Sequence, residues 1–308
     1  MYDNSISVTA IQFKEAQSRA ACVKISAGDD GYETGVRLAE KLSGDELKLV
    51  FVLSDGVKVN GSRLISGMRS ILGDAIPLTG GLAGDGPRFE TTKVGLNEKP
   101  ESGNIVGIGL YGEGLTIGHG NNGGWEVFGP ERRITRSQGN ILYELDGKPA
   151  LELYKRYLGE DADGLPDNAL LFPLQVYEAG HRENALVRTI VGIDEDAQTM
   201  IFAGDVPNGY CAQLMRGNID RLVEGAGDAA RATAPCKEQN VALLVSCIGR
   251  KLLLGQRAAE EVEAVSEILG QQSTITGFYS YGEISPHAAS GMCELHNQTM
   301  TVTVIDER

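Results

Sequence analysis

The sequence has no run of about 20 consecutive apolar residues, the length that a transmembrane helix needs, so no membrane-spanning helix is expected. Its first residues are not a basic stretch followed by an apolar segment, so we expect no secretory signal. Cysteines are few, and none forms a C-x-x-C pair: Cys22, Cys211, Cys236, Cys247 and Cys293. Scattered cysteines in odd number indicate free thiols in a reducing compartment, which predicts a cytoplasmic protein.

Positive charge is also scarce. The chain carries 28 Lys and Arg against 42 Asp and Glu, a formal net charge of −14. The largest basic cluster is Arg132 and Arg133 with the neighbouring Arg136, which is too small to follow a phosphate backbone. A protein this acidic repels nucleic acid and anionic membrane surfaces, so neither is an expected partner.

The 308 residues are enough for about two domains, and 42% of them are hydrophobic, as in ordinary globular proteins. Apolar and polar residues alternate at 5–13 and 19–26, which predicts strands, and the apolar run at 47–53 predicts a buried strand. Ser62 is a candidate N-cap for the helix that follows. Further strands are predicted at 89–96 and 104–112.

The last part of the chain repeats the order of the first. Residues 47–112 and 241–306 each show a strand, a small polar loop, a helix, a short strand, a glycine-rich loop and a strand pair. The sequence therefore predicts an α/β protein with two structurally related halves, each a mixed sheet with flanking helices. Antiparallel hairpins are expected between them, in residues 113–217.

Polar side chains follow the predicted strands at the carboxyl ends, where α/β sheets bind ligands. An arginine opposed by carboxylates suits an amino acid, because a guanidinium binds its carboxylate and acidic groups hold its ammonium. We expected Gly80, Gly81 and Gly277 to let backbone approach the ligand, in a cleft between the halves. The alternative is that the acids brace tight turns and Arg250 forms a structural ion pair. The candidate ligand-binding residues are Asp55, Gly80, Gly81, Asp85, Cys247, Arg250, Tyr279, Tyr281 and Glu283.

Nucleophilic catalysis, metal binding and haem binding each have candidate residues in the sequence. Cys247 follows a buried strand, where a nucleophile would lie, but the G-x-S-x-G spacing is missing and small buried cysteines are common. Cys293 and His296 form one C-x-x-H pair without a second pair, so a metal site is not predicted. Any of the four histidines is a candidate haem ligand: His119, His181, His287 and His296.

Several motifs in order resemble the FIST family across nearly the whole chain. They include the Thr-Gly-Gly and Gly-Asp steps of the first glycine-rich loop and the Tyr-Gly-Glu step of the second, and they lie at 78–86, 139–150, 172–174, 246–250, 277–284 and 296–299. The resemblance implies an intracellular sensory module that binds a small ligand, with amino acids favoured. It also implies a signalling partner such as a histidine kinase or a cyclic-dinucleotide enzyme. Some members bind haem to sense nitric oxide, and haem is therefore the cofactor to consider.

The resemblance further predicts two modules, an N-terminal type at 1–130 and a C-terminal type at 131–308. The family usually begins with a further strand–helix–strand unit that carries a Gly-Cys-Ser-Thr-type motif, and we expect this unit to be missing here. A shortened module would leave a sheet edge exposed, through which two copies of the chain could pair as a homodimer. The favoured function is ligand binding without catalysis; the alternatives are a haem-based nitric-oxide sensor and an enzyme using Cys247.

Overall fold

The computed structural model describes residues 5–233 and 240–308. Its elements in chain order fall into three groups. The first is β1 (Gln17–Lys24), α1 (Tyr32–Leu42), β2 (Leu47–Ser54), α2 (Gly61–Leu72), β3 (Leu78–Ala83), β4 (Asn104–Tyr111) and β5 (Leu115–Asn122). The second is β6 (Glu126–Val127), β7 (Arg132–Gln138), β8 (Ile141–Leu145), β9 (Lys148–Pro149), α3 (Ala150–Leu158), β10 (Leu174–Tyr177), β11 (Leu186–Arg188), β12 (Ile190–Asp194), β13 (Thr199–Phe202) and β14 (Cys211–Arg216). The third is α4 (Ile219–Arg231), β15 (Asn240–Cys247), α5 (Ile248–Leu254), α6 (Ala258–Leu269), β16 (Ser273–Pro286), β17 (Cys293–His296) and β18 (Met300–Glu307).

The first and third groups form one mixed sheet, in the order β1-β4-β2-β3-β16-β15-β18-β5, with β17 paired to β16. The pairing directions are the same from either end of the sheet. From β1, the pairs β1–β4 and β4–β2 are antiparallel and β2–β3 is parallel. From β5, the pairs β5–β18 and β18–β15 are antiparallel and β15–β16 is parallel. The predicted α/β fold with two related halves is therefore confirmed. The first group supplies β1 to β5 and the third group supplies β15 to β18, and the two groups join where β3 and β16 pair directly.

The two halves overlap only over a short stretch of that junction. Ser280 is the register partner of both Ala83, at the end of β3, and Cys247, at the end of β15. Within the described residues, β16 pairs with β15 along 273–280 but with β3 only from Ser280 to Ile284. Residues 273–279 therefore extend past the end of β3.

Glycines occupy equivalent positions in the two parallel pairs. Gly80 has φ +125°, and a Cβ on it would lie 2.0 Å from the carbonyl oxygen of Val52. A Cβ on Gly277 would lie 2.0 Å from the carbonyl oxygen of Leu244. A Cβ on Gly81 would lie 2.8 Å from Cγ1 of Val245. These glycines thus let strand approach strand, whereas the sequence predicted that they let backbone approach a ligand.

The predicted antiparallel middle is present as a second sheet, β11-β10-β14-β7-β8-β13-β12. Its core packs against α3 through Leu151 and Tyr154. The helices α1 and α2 cover one half of the larger sheet, and α4 and α6 cover the other. In the described part of the chain, no helix is both long and apolar enough to cross a membrane.

Three local predictions were wrong. Residues 5–13 are not a strand, and Ile6 and Val8 are 91% and 87% exposed, so alternation without burial did not produce pairing. Residues 89–96 form no strand beyond an isolated bridge at Val94. The N-cap of α2 is Asn60, whose side chain accepts a hydrogen bond from the backbone of Arg63, and not Ser62.

Candidate functional site

One cleft of the described structure has a volume of about 910 Å³. It lies beside residues 275–279 of β16, between residues 5–9, strand β2 and helix α6. Its lining is mostly apolar and includes Phe51, Leu53, Val262 and Phe278. A concave, largely apolar surface of this size with a few polar groups is typical of a small-ligand site.

The polar floor of this cleft is built around the buried carboxylate of Glu261. Tyr279 donates its hydroxyl to Oε1 of Glu261 at 2.7 Å, and Ser246 donates to the same oxygen at 3.0 Å. Nε of Arg250 donates to Oε2 at 3.0 Å, so the charge of Glu261 is balanced. Because burial makes an unpaired carboxylate costly, these donors hold the floor in one geometry.

Two further charged groups line the cleft. Nζ of Lys251 lies 5.2 Å from the ring centroid of Tyr279, a cation–π distance. Glu263 supplies a second carboxylate, and Thr276 supplies a hydroxyl. The cleft therefore offers a cation, an anion and hydroxyl groups beside an apolar wall, which suits a zwitterion with an apolar body.

Arg250, which the sequence placed in the ligand site, is fully buried. It lies on α5 and connects this helix to α4, to α6 and to the segment after β5. Besides Glu261, its guanidinium donates to the carbonyl oxygens of Gly123 and Leu222, each at 2.7 Å. These partners match the alternative prediction of a structural ion pair. Arg250 acts on the cleft only by orienting Glu261.

Asp55 is buried in the loop after β2, outside the cleft. Its carboxylate accepts from Thr92 Oγ1 at 2.7 Å, from Ser102 Oγ at 2.7 Å and from the backbone of Gly103 at 2.6 Å. Burial alone would raise the pKa of Asp55, but these and neighbouring hydrogen bonds lower it below its ordinary value. Asp55 therefore braces its loop.

Asp85 and Tyr281 are in direct contact, also away from the cleft. The Tyr281 hydroxyl hydrogen-bonds the Asp85 carboxylate and lies 2.7 Å from the carbonyl oxygen of Gly86. The Tyr281 ring stacks on Phe89, with centroids 4.1 Å apart. Burial, and then the hydrogen bond with Asp85, raises the pKa of Tyr281 to about 12.

Glu283 and Cys247 lie in the interior at the junction of the halves, and both are buried. Glu283 accepts from Ser280 Oγ at 2.6 Å and from the backbone of Thr299 at 3.1 Å. Burial raises the pKa of Glu283 to about 8. Burial, and then the negative charge of Glu283, raises the pKa of the Cys247 thiol. A thiol held protonated is a poor nucleophile, which argues against the cysteine-enzyme hypothesis.

Of the residues predicted to bind ligand, Tyr279 lines the large cleft, as does Gly277. The expected convergence of Asp85, Arg250, Tyr281 and Glu283 on one open cleft is not what the structure shows, since each has protein partners of its own. A direct role in ligand binding for the predicted residues stays a prediction.

The histidines have mixed surroundings. His287 and His296 stack with ring centroids 5.9 Å apart, and Nε2 of His296 lies 3.0 Å from the carbonyl oxygen of Ser285. Burial lowers the pKa of His296 to about 3. His181 pairs with Glu183 at the surface. Among the described residues, no cluster of three His, Cys, Asp or Glu side chains could hold a metal ion. Haem binding stays a prediction, tested by a Soret band after reconstitution.

Sequence reasoning missed Glu261, Lys251 and Phe51. Glu261 is one of several glutamates on α6, and the sequence analysis did not single it out. The available signal was the helical spacing, which places Glu261 on the same face of α6 as Ala258 and Val265, and the helix buries all three.

Comparison with known protein families decides the affiliation of the chain. A FIST N domain model matches residues 1–148, and a FIST C domain model matches residues 150–286. The chain belongs to the FIST family. FIST domains are sensory domains that bind small ligands in signalling. The FIST N match covers the N-terminal unit, so the expectation that this unit is missing is wrong.

Individual relatives add little. The uncharacterised protein MJ1623 of Methanocaldococcus jannaschii is 26% identical, over 75% of this chain and 49% of that protein. The chain thus spans about half the length of this curated relative. Among solved structures, a cyanuric acid hydrolase from A. caulinodans matches over 95% of this chain and 99% of that chain, at 13% identity. Its TM-score of 0.22 is too low to bear on fold or function.

Proposed function

We propose that this FIST protein is a cytoplasmic sensor that binds a small polar ligand in the cleft beside β16 and passes the signal to a partner protein. The observation that carries this proposal is the Glu261 floor. Its carboxylate is fully buried and is held by Arg250, Ser246 and Tyr279 at the base of a 910 Å³ cleft. A fixed polar floor under apolar walls is the arrangement that orients a small ligand.

The first ligand class to test is an amino acid with an apolar side chain. Lys251 can face its carboxylate, Glu263 can face its ammonium, and the wall of Phe51, Leu53 and Phe278 can take the side chain. The volume also admits a larger molecule of the same chemistry, because pockets of roughly 300–1,000 Å³ hold drug-sized ligands.

We propose binding without catalysis as the role, since the nucleophile candidate Cys247 is buried with a raised pKa. The partner proposed from the family is a histidine kinase or a cyclic-dinucleotide enzyme. Homodimerisation is proposed through β1, which ends the larger sheet and carries mostly exposed side chains. A monomeric mass in light scattering at high concentration would refute the dimer.

The ligand proposal is tested by a thermal-shift screen of the standard amino acids, followed by calorimetry on those that raise the melting temperature. Tyr279→Phe keeps the ring but removes the hydroxyl that bonds Glu261, and we expect about tenfold weaker binding, equivalent to one hydrogen bond of roughly 1.4 kcal/mol.

Tyr281→Phe is the matched control, because it removes a carboxylate-bonded hydroxyl from the same strand but outside the cleft. It should leave ligand affinity unchanged. If both variants weaken binding equally, or if no amino acid binds the native protein, the amino-acid proposal for this cleft is rejected.

A further inference from the structure

The chain passes between the two sheets at two places, which we call the crossings. The outgoing crossing is residues 123–125, between β5 of the larger sheet and β6 of the second sheet. The return crossing is residues 217–222, which run from the end of β14 into the first turn of α4. Since all strands of the second sheet lie between these two segments in the chain, the backbone joins the two sheets at the crossings.

One buried guanidinium, that of Arg250, holds both crossings. Its Nη1 donates to the carbonyl oxygen of Gly123 in the outgoing crossing, and its Nη2 donates to that of Leu222 in the return crossing, each at 2.7 Å. Its Nε donates to Glu261, in the floor of the cleft beside β16, at 3.0 Å. A guanidinium presents its donors in a rigid planar fork, so a displacement at Nε moves Nη1 and Nη2 with it.

The crossings have the character of hinges. Both contain glycine, Gly123 and Gly124 in the outgoing crossing and Gly217 in the return crossing, and hinge residues are often small. A second cleft, of about 320 Å³, lies at the crossings and is lined by Trp125, by Met215 of the second sheet and by residues of α4. The second sheet is therefore not packed solidly against α4 here. It also has a hydrophobic core of its own with α3, so it can move as a unit.

The cleft beside β16 reaches the crossings through the two oxygens of Glu261. Oε1 accepts from Tyr279 and Ser246, which both line that cleft, and Oε2 accepts from Arg250. A ligand group that takes over a hydrogen bond at Oε1 changes the bond at Oε2, because the two oxygens share one delocalised charge in one rigid plane. The contacts therefore run without a gap from the cleft to both crossings.

We propose that Arg250 is the positioning residue through which the ligand site sets the tilt of the second sheet. With the cleft empty, Glu261 holds the guanidinium, and the guanidinium holds both crossings in the arrangement seen here. A ligand that draws on Glu261 loosens the crossings, and the second sheet tilts as a unit about their glycines. The second sheet is the output of the sensor. This proposal rests on the proposed ligand site, because Glu261 is the floor of the same cleft.

The coupling is tested without ligand by the fluorescence of Trp125, the single tryptophan of the chain. Its Nε1 donates to the carbonyl oxygen of Gln298 at 2.8 Å, and Nη1 of Arg250 lies 3.5 Å from the same oxygen. Glu261→Gln removes the charge that holds Arg250, so acrylamide should quench Trp125 several-fold faster. Glu267→Gln, at an exposed position of the same helix, is the matched control and should change nothing. Unchanged quenching in folded Glu261→Gln would overturn the proposal.

Hydrogen–deuterium exchange separates a tilt from unfolding. In Glu261→Gln the proposal expects several-fold faster exchange at the crossings, residues 123–125 and 217–222, and unchanged protection of β8 and β13, which pair inside the second sheet. Faster exchange throughout the second sheet would show that Arg250 only holds the fold together, and it would reject the proposal.

Tyr279→Phe disturbs Glu261 from the side of the cleft and serves also if Glu261→Gln does not fold. It should speed the quenching of Trp125 and the exchange of the crossings in the same direction, by a smaller factor. Tyr281→Phe, whose hydroxyl bonds Asp85 instead, is its control. No effect of Tyr279→Phe would break the link between cleft and crossings and reject the proposal. None of these measurements uses a ligand, so a failure of the amino-acid screen would be a separate result.

Discussion

The hydroxyl of Tyr281 hydrogen-bonds the carboxylate of Asp85, which lies 196 residues earlier in the chain. The same hydroxyl accepts from the backbone of Asp85 at 3.0 Å and of Phe89 at 3.2 Å. One phenol of the second half thus organises the loop that follows β3 in the first half. Tyr281 and Asp85 are therefore residues that join the two halves.

Tyr281→Phe should lower the free energy of unfolding by about 1–3 kcal/mol, because it leaves the Asp85 carboxylate and two backbone donors without their partner. Urea denaturation measures the change. Tyr143→Phe is the control, since the Tyr143 ring stacks under Arg136, with the guanidinium 4.4 Å from its centroid, a contact that the change to Phe retains. An equal loss in both variants would contradict the role assigned to Tyr281.

Glu283 should make the protein less stable as the pH rises. Burial raises its pKa to about 8 in the folded protein, above the ordinary 4.5, so between these values the folded state holds a proton that the unfolded state has lost. This contribution to stability is complete below about pH 4.5 and is lost as the pH rises through about 8, by up to ~1.4 kcal/mol per pH unit.

Glu283→Gln removes this titration, and the variant should lose less stability than the parent protein between pH 5 and 9, roughly the interval that the two pKa values define. Urea denaturation at several pH values measures both. Glu260→Gln, an exposed glutamate that pairs with Arg257, is the control. Identical pH profiles for the parent and Glu283→Gln would show that Glu283 is ionised throughout.

Gly80→Ala should destabilise the protein severely, by more than about 3 kcal/mol, because the added Cβ meets the backbone of Val52 at 2.0 Å and φ is +125°. Gly147→Ala separates the two causes: Gly147 has φ +72° but nothing within 4 Å of the added Cβ, so we expect a loss of only ~1–2 kcal/mol. Thermal unfolding followed by circular dichroism compares the two. Similar losses would mean that the close strand approach at Gly80 is relaxed.

Cys247 should resist alkylation in the native protein, since the thiol is buried and its pKa is raised. Cys22 is exposed and should react with iodoacetamide first, while Cys211 and Cys293 are buried and should stay protected. Cys236 lies outside the described residues. Peptide mass spectrometry after a short exposure gives the order. Rapid labelling of Cys247 would restore the cysteine-enzyme hypothesis.

Much of the fold could be predicted because its signals are local. The apolar run at 47–53 became β2, and the repeated element order became two halves with the same strand order. That these halves share one sheet could not be predicted, because the pairing of β3 with β16 joins residues about 200 positions apart and leaves no local pattern. Residues 5–13 carry the alternation of a strand, but tertiary pairing decides whether a strand forms.

The site was harder to predict than the fold. Charged side chains at strand ends were expected to face a ligand, but Asp55 and Arg250 face the protein, where backbone and side-chain groups satisfy them. A sequence shows that a charge is present but not which neighbour neutralises it. Tyr279 was predicted because it lies in a glycine-containing stretch, 276–283, which the sequence placed as a loop after a strand and which the structure places within β16. Glu261 is brought to the site by the packing of α6 against β16, where it accepts the hydroxyl of Tyr279.

Strand pairing joins residues 1–148, the FIST N portion, to the rest of the chain in both sheets. In the larger sheet β3 pairs with β16 and β5 with β18, and in the second sheet β6 and β7 pair with β14 and β8 pairs with β13. Division of the chain after residue 148 would leave unpaired strand edges on both fragments, and each such edge is a template for aggregation. The two portions are therefore complementing fragments of one cooperative folding unit. Neither portion keeps all of its strand partners when it is separated from the other.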